Sequence, residues 1–336
     1  MPGGRRVEAV TGATFALGPG ECLALVGESG CGKSVLASAL LGLLPGNAET
    51  AGSARLADGL DLLAADERTL ARQVRGRRVA LVPQSPAAHL TPVRTVRSQL
   101  EETVRELAPA GPADPAGGDG TPSRPRTLLR WRPRPDRPRP DRFRPDRFRP
   151  DRARLRAAAQ AAAARAAFPA THLDRYPHEL SGGLAQRAAT ALALVGDAPL
   201  LLADEPTTGL DRDLVERTAD ELRAHTREAG RALLMITHDL AAAQRIADTV
   251  AVMYAGRIVE LSPAGAFFGA PGPRHPYARG LLDALPERAF VPVPGNPPEL
   301  GSLPAGCAFA ARCERADALC RAERPLLTEG VACHHA

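Results

Sequence analysis

The chain has 336 residues, 44% apolar and 24% charged; this is ordinary globular usage, excludes a wholly disordered chain, and at about 150 residues per domain suggests two domains. No apolar run reaches the ~18 residues of a membrane span, since the longest, 188–203, is broken by Gly196, Asp197 and Pro199, and Met1-Pro-Gly-Gly-Arg-Arg lacks the apolar stretch of a signal peptide. The segment Arg124–Arg156 holds 14 Arg and 4 Asp, against 43 basic and 38 acidic residues in the whole, so one tract carries +10 and the remainder −5; this excludes a broadly basic nucleic-acid-binding fold. A cytosolic location is expected, with the six cysteines buried, metal-bound or free rather than joined as disulfides.

In chain order, the segment 7–26 alternates and then turns apolar, ending in Cys22-Leu-Ala-Leu-Val26, and predicts a buried strand. It leads through Gly27-Glu-Ser-Gly-Cys-Gly-Lys33-Ser34 into a helix over 35–44, stopped by Pro45-Gly46. Residues 79–82 form a short strand ended by Pro83, and a helix follows over about 95–107. From Pro109 to about Arg156 a five-residue repeat appears, of the form Pro140-Asp-Arg-Phe-Arg. A proline at every fifth position forbids a continuous helix or a central strand, so a disordered or extended tract is expected. Its charge suits an anionic lipid surface or nucleic acid. The punctuating Asp residues and scarce aromatics favour a tolerated surface insertion instead.

A helix resumes over about 153–167, and Ser181-Gly182-Gly183 opens another, to about Val195. A buried strand over 199–203 ends in Asp204-Glu205; a helix over 213–229, a strand over 231–237 and a helix from Asp239 to about 247 follow. Residues 250–254 and 257–261 make a hairpin across Ala255-Gly256, and after Pro263 the chain is loop-rich and carries four cysteines. The alternation predicts an α/β fold with a mainly parallel core sheet.

Gly27-x-x-x-x-Gly32-Lys33-Ser34, between a strand and a helix, is a P-loop in the context that the motif requires. Backbone N–H groups from Gly27 through Glu28, Ser29, Gly30, Cys31 and Gly32 turn toward phosphates, and the helix N-terminus adds positive partial charge. Lys33 supplies a point charge for the β- and γ-phosphates, and the Ser34 hydroxyl ligates Mg²⁺. Lys33 is the only lysine of the chain, which weighs against an ordinary turn. Asp204, leaving a buried strand, can orient Mg²⁺, and Glu205 can polarise the attacking water.

Leu180-Ser181-Gly182-Gly183, with Gln84, Asp211 and His238 in that order, makes the chain resemble an ABC transporter ATPase over nearly its whole length. The resemblance implies a P-loop ABC-type nucleotide-binding domain that hydrolyses ATP with Mg²⁺. Within it, Leu180–Gly183 looks like the signature that clamps the γ-phosphate held by a partner's P-loop. Gln84 is similar to the Q-loop glutamine that senses Mg²⁺ and γ-phosphate and faces the membrane subunits. Asp211 matches the D-loop and His238 the switch histidine. His275-Pro276-Tyr277, Gly280-Leu-Leu-Asp-Ala-Leu-Pro286, Pro294-Gly-Asn-Pro-Pro298 and Pro304-Ala-Gly-Cys307 resemble the oligopeptide/dipeptide importer ATPases. Leu184, where Gln usually follows Ser-Gly-Gly, is similar to the D-type subunit, which pairs with a distinct F-type ATPase. The implied organisation is a nucleotide-binding domain over 1–262 and a C-terminal region over 263–336. The first includes a helical subdomain at about 85–180 and the insertion at about 109–151.

Cys307, Cys313, Cys320 and Cys333 have five, six and twelve residues between them, not the paired CxxC spacing of a zinc ribbon. Spacing alone leaves a [4Fe–4S] cluster, zinc and unliganded thiols open. The resemblance points to a [4Fe–4S] cluster, with Zn²⁺ as the alternative. His334 and His335 could stand in as substitute ligands but are read as solvated tail residues, Cys22 as core, and Cys31 as filling a free position of the P-loop. In the family an upstream strand and an adenine-stacking aromatic precede the position of Arg6-Val7. None stands here, so either the start lies upstream or adenine rests on Val7 and Val10 and ATP binding is weak.

The resemblance thus implies a peptide-importer ATPase, peripheral on the cytoplasmic face of the plasma membrane. Its partners would be an F-type ATPase subunit, two permease subunits and an extracytoplasmic substrate-binding protein, with no nucleic acid. A nickel or other small-solute importer is the alternative. A non-transport ABC ATPase would typically show two cassettes or a long coiled coil. A non-hydrolysing or metal-sensing subunit sits poorly with intact Lys33, Asp204, Glu205 and His238.

Overall fold

The computed structural model describes residues 6–108 and 151–336, so nearly all of the Arg/Pro/Asp tract lies outside the described residues. Six strands, β1 Cys22–Val26, β2 Val79–Val82, β3 Leu200–Asp204, β4 Ala232–Thr237, β5 Thr249–Tyr254 and β6 Arg257–Pro263, form one sheet in the order β2-β3-β4-β1-β5-β6. All neighbours run parallel except the β5–β6 hairpin, as the α/β alternation predicts. β1 begins later than expected: within 7–21 only Gly12 makes a bridge, to Arg257. Gly18-Pro19-Gly20 turns the chain just ahead of it, with Gly20 at φ 75° and the Gly18 N–H on Glu21 Oε2 at 2.7 Å.

Successive side chains of a strand point to opposite faces. Cys22, Ala24 and Val26 therefore enter one core and Leu23 and Leu25 the other. The helices Gly182–Ala193, Arg212–Glu228 and Leu240–Ile246 close the first core through Ala188, Leu222 and Leu240. The helix Lys33–Leu40 closes the second, with Leu62, Leu70 and Val74 from the stretch after it. Lys33–Leu40 stops before Pro45-Gly46 because Gly42, at φ 63°, supplies the left-handed residue of a C-cap. Its N–H bonds Ala39 O at 3.0 Å, and the Leu43 N–H bonds Ser38 O at 2.8 Å.

A helical layer of Val96–Leu107, Arg152–Arg165 and Gly182–Ala193 packs beside β2. Small buried residues, Ala159, Ala162 and Ala163, let these helices approach closely. The region after Pro263 is more helical than expected, with Ala264–Phe268, Pro276–Asp283 and Ala318–Ala322. It returns to the sheet: Leu261 N–H bonds Gly330 O and Ala332 N–H bonds Val259 O, each at 2.8 Å, which covers the β6 edge. Among the described residues no helix is long and apolar enough to cross a membrane.

Candidate active site

The strand registers place one set of groups at one end of the sheet. Val26 lies opposite Thr237, Asp204 opposite Ile236, and Val82 opposite Ala203. The segments leaving β1, β2, β3 and β4 therefore emerge together at their carboxyl ends, where open α/β sheets bind ligands. They carry Gly27–Ser34, Gln84, Asp204-Glu205 and His238.

Gly27 and Gly32 are required by close approach. A Cβ would fall 2.2 Å from Met253 O at Gly27 and 2.3 Å from Ala9 O at Gly32, which also sits at φ 109°. Lys33 is 6% exposed. Its ammonium donates to Gly27 O at 2.7 Å and Glu28 O at 3.1 Å, and lies 3.8 Å from Cys31 Sγ. Burial pushes the Cys31 thiol up, with the Lys33 charge acting the other way. Val10 Cγ2 would touch a Cβ on Gly32 at 3.3 Å, whereas Val7 is exposed.

Ser34 Oγ donates to Asp204 Oδ1 at 3.1 Å, so two of the three expected Mg²⁺ ligands, with Gln84 the third, are brought together. Burial raises the Asp204 carboxyl, opposed chiefly by that hydrogen bond. Glu205 is 6% exposed and sits at φ 49°, an uncommon backbone for a non-glycine residue. Its N–H bonds Ile236 O at 2.8 Å. Its Oε2 lies 2.7 Å from His238 Nδ1 and accepts the His238 backbone N–H at 3.3 Å. With the carboxylate as acceptor, the imidazole proton is assigned to Nδ1, leaving Nε2 on the exposed side of the ring.

Ser181 and Asp211 serve a different task within the chain. Each caps a helix, Ser181 by accepting from Leu184 N–H at 3.4 Å and Asp211 from Leu214 N–H at 3.0 Å. Gly183 packs on the second of these helices, where a Cβ would meet Leu214 Cδ2 at 2.4 Å. Among the described residues no hydrogen bond joins Leu180–Gly183 to Gly27–Ser34. Gln84 is exposed on the segment after β2.

Glu28 departs from the expected phosphate-facing loop. Its N–H donates to Tyr277 Oη at 2.9 Å. Its carboxylate is gripped by both Arg312 nitrogens, Nη1 at 2.8 Å and Nη2 at 2.9 Å. That ion pair holds the guanidinium above its usual range. Sequence reasoning missed Arg312, the role of Tyr277, and Glu260. Glu260, 0% exposed on β6, accepts N–H bonds from Arg274 at 3.0 Å and His275 at 2.7 Å and a hydroxyl bond from Ser262 at 2.9 Å. A charged residue inside an otherwise apolar strand, Ile258-Val259-Glu260-Leu261, was the available signal.

The four C-terminal cysteines, despite irregular spacing, line one small cavity with His275 and Phe309. None is in a disulfide. Cys307 N–H bonds Cys320 O at 2.8 Å. Burial raises the Cys307 thiol first, and the three neighbouring thiols add to the shift. Asp317, Cys320 and His335 also offer ligand atoms within 4.8 Å of one another. His335 Nε2 lies 3.1 Å from Asp317 Oδ2, closer to the thiols than a tail residue is expected to be.

The family described as ABC transporter matches residues 10–208, and the oligopeptide/dipeptide transporter C-terminal region matches 259–320. A probable peptide ABC transporter ATP-binding protein of Sinorhizobium fredii is 36% identical over 96% of this chain and 86% of its own length. The oligopeptide transport ATP-binding protein OppD of Mycobacterium tuberculosis is 35% identical over 99% of this chain, which spans about half (49%) of that relative. A dimeric ATP-binding cassette in a post-hydrolysis state, bound to ADP and Pi, shares the fold at TM-score 0.59 and 20% identity, over 76% of this chain and 90% of that one. The chain belongs to the ABC transporter ATP-binding family, in the branch that carries the oligopeptide/dipeptide transporter C-terminal region.

Proposed function

We propose that the chain is the ATP-hydrolysing subunit of a peptide importer. The observation that carries this reading is the meeting of Lys33, Ser34, Asp204, Glu205 and His238 at the carboxyl ends of β1, β3 and β4. When ATP enters, Lys33 exchanges the carbonyls of Gly27 and Glu28 for the β- and γ-phosphates. Glu205, fixed by His238 Nδ1, takes a proton from water as its oxygen attacks the γ-phosphorus and the bridging P–O bond to ADP breaks. His238, held beside Glu205, would contact the γ-phosphate. Ser34 and Asp204, with Gln84, would hold Mg²⁺, which neutralises phosphate charge. Leu180–Gly183 and Asp211 serve the site of a second cassette, an F-type ATPase subunit, so two ATP are sandwiched.

The assembly drives two permease subunits, supplied by a substrate-binding protein, from the cytoplasmic face of the plasma membrane. Residues 1–262 form the nucleotide-binding domain and 263–336 the C-terminal region. The unpaired thiols of Cys307, Cys313, Cys320 and Cys333 on one cavity suit a [4Fe–4S] cluster; Zn²⁺, the alternative, would need the thiols drawn closer, since among the described residues the group with ligand atoms within 4.8 Å of one another is Asp317, Cys320 and His335. When bound, either supplies an internal cross-link, and the cluster adds a one-electron centre.

Glu205→Gln tests the chemistry. ATP binding persists while hydrolysis falls by about 10²–10⁴-fold; hydrolysis within tenfold of wild type refutes the assigned base. Uptake of a labelled peptide by cells lacking the chain tests the cargo. Retained peptide uptake with lost nickel uptake favours the small-solute alternative.

A further inference from the structure

The P-loop is held from outside its own domain. Arg312 stands 284 positions after Glu28, yet its side chain is only 3% exposed and both terminal nitrogens close on the Glu28 carboxylate. Its remaining donors are also used: Nε bonds Pro294 O at 2.6 Å and Nη2 bonds Val293 O at 3.2 Å. The guanidinium lies 5.7 Å from the ring centres of both Tyr254 and Phe309. A planar fork fixed on every side transmits displacement where a flexible ammonium would not. The next residue is Cys313, and Phe309 and Cys313 both line the thiol cavity. Tyr277, which takes the Glu28 N–H, packs on Phe309 at 5.5 Å. One rigid cluster therefore touches the nucleotide loop on one side and the thiol pocket on the other.

We propose that Arg312 is a positioning residue for ATP: by clamping Glu28 it sets the shape of the nucleotide loop and couples ATP affinity to the state of the four-thiol pocket. The proposal rests on the reading of Gly27–Ser34 as an ATP site. It assigns Glu28 an inward structural tie rather than a phosphate contact, and it makes the coupling reciprocal, so ATP must also alter the pocket.

The test uses the full chain and a fluorescent ATP analogue. Lys33→Ala abolishes binding if the ATP reading is right; unaffected binding in that variant sinks the reading itself. With that control in hand, Arg312→Lys keeps the charge but loses the fork, and Glu28→Gln removes the paired carboxylate from the loop side. Each is expected to weaken ATP binding by about two- to thirtyfold, raising KM with kcat little changed. The double variant is no weaker than the worse single variant. Hydrogen exchange read by mass spectrometry over 307–313 changes on adding ATP in wild type and not in Arg312→Lys. Wild-type affinity in both single variants, effects that multiply in the double variant, or exchange at 307–313 indifferent to ATP in wild type each overturns the proposal.

Discussion

Replacing Glu260 by Leu probes how the C-terminal region is fastened to the sheet. The carboxylate is fully buried and accepts the backbone N–H groups of Arg274 and His275, together with the Ser262 hydroxyl. Leucine keeps the volume and removes all three acceptor contacts. The hydroxyl can rotate to another partner, but the two N–H groups are fixed by the backbone. Hydrogen bonds to a charged group contribute about 1.5–3 kcal/mol each, so the gross loss is about 3–6 kcal/mol. Removing a buried charge returns part of this, and a net local cost of about 3 kcal/mol is expected. At 1.4 kcal/mol per decade that is about a hundredfold faster exchange of the Arg274 and His275 amides, if they exchange by local opening. Native-state hydrogen exchange on those amides is the assay, and Glu260→Gln, which keeps one carbonyl acceptor, falls between. Protection within threefold of wild type in the leucine variant would refute the assignment of Glu260 as the anchor.

His275 is 2% exposed, and burial holds its imidazole down to about 4, below the ordinary ~6.5. Since the unfolded chain binds the extra proton first, stability is full above about pH 6.5 and falls as pH drops toward 4, by up to about 3 kcal/mol. Urea midpoints at pH 7 and pH 4.5 check this, and His275→Asn, which keeps an acceptor for Tyr277 N–H, flattens the difference. Gly32→Ala places a Cβ 2.3 Å from Ala9 O at φ 109°; ATP binding is lost while far-UV circular dichroism stays near wild type. Cys22 is fully buried and its thiol is pushed up to about 12 by burial. Iodoacetamide at pH 8 therefore leaves it unmodified in the folded protein, as peptide mass spectrometry reports.

Much of the core and of the catalytic end was legible because the signals are local. A strand running into Gly27–Ser34, a second strand ending in Asp204-Glu205 and a third ending at His238 each carry their chemistry within a few residues. Boundaries failed where a single backbone conformation decides them. Gly42 ends the first helix three residues before Pro45, and the turn at Gly18–Gly20 delays β1 to Cys22. The stretch 47–78 escaped because it has no clear period, and its Leu70–Val74 turn is π-helical. The attachment of the C-terminal region was illegible for another reason. Glu28 meets Tyr277 249 positions away and Arg312 284 away, and no spacing rule reaches that far. Irregular intervals between the cysteines likewise hid their convergence, which the return of 328–332 to β6 and the Cys307–Cys320 backbone bond bring about.

Those long-range ties bear on how the loop treats its ligand. Ordering backbone costs about 1–2 kcal/mol per residue, and glycine loses the most freedom. Part of that ordering is supplied by the loop's own contacts, through Lys33 on two carbonyls and Glu28 on Tyr277 and Arg312. The two sets of contacts differ in what happens next. On the proposed ATP reading, the Lys33 bonds break for the ammonium to reach phosphate, so they oppose binding. On the proposed clamp, the Glu28 bonds run to Tyr277 and Arg312 outside the P-loop, so they lower the ordering cost without competing for the ligand. Contacts made equally in the bound ground state and the transition state change affinity and leave the chemical step alone. Loss of the Arg312 clamp therefore belongs in KM, loss of Glu205 belongs in kcat, and a variant of each kind separates the fastening of the loop from the chemistry it serves.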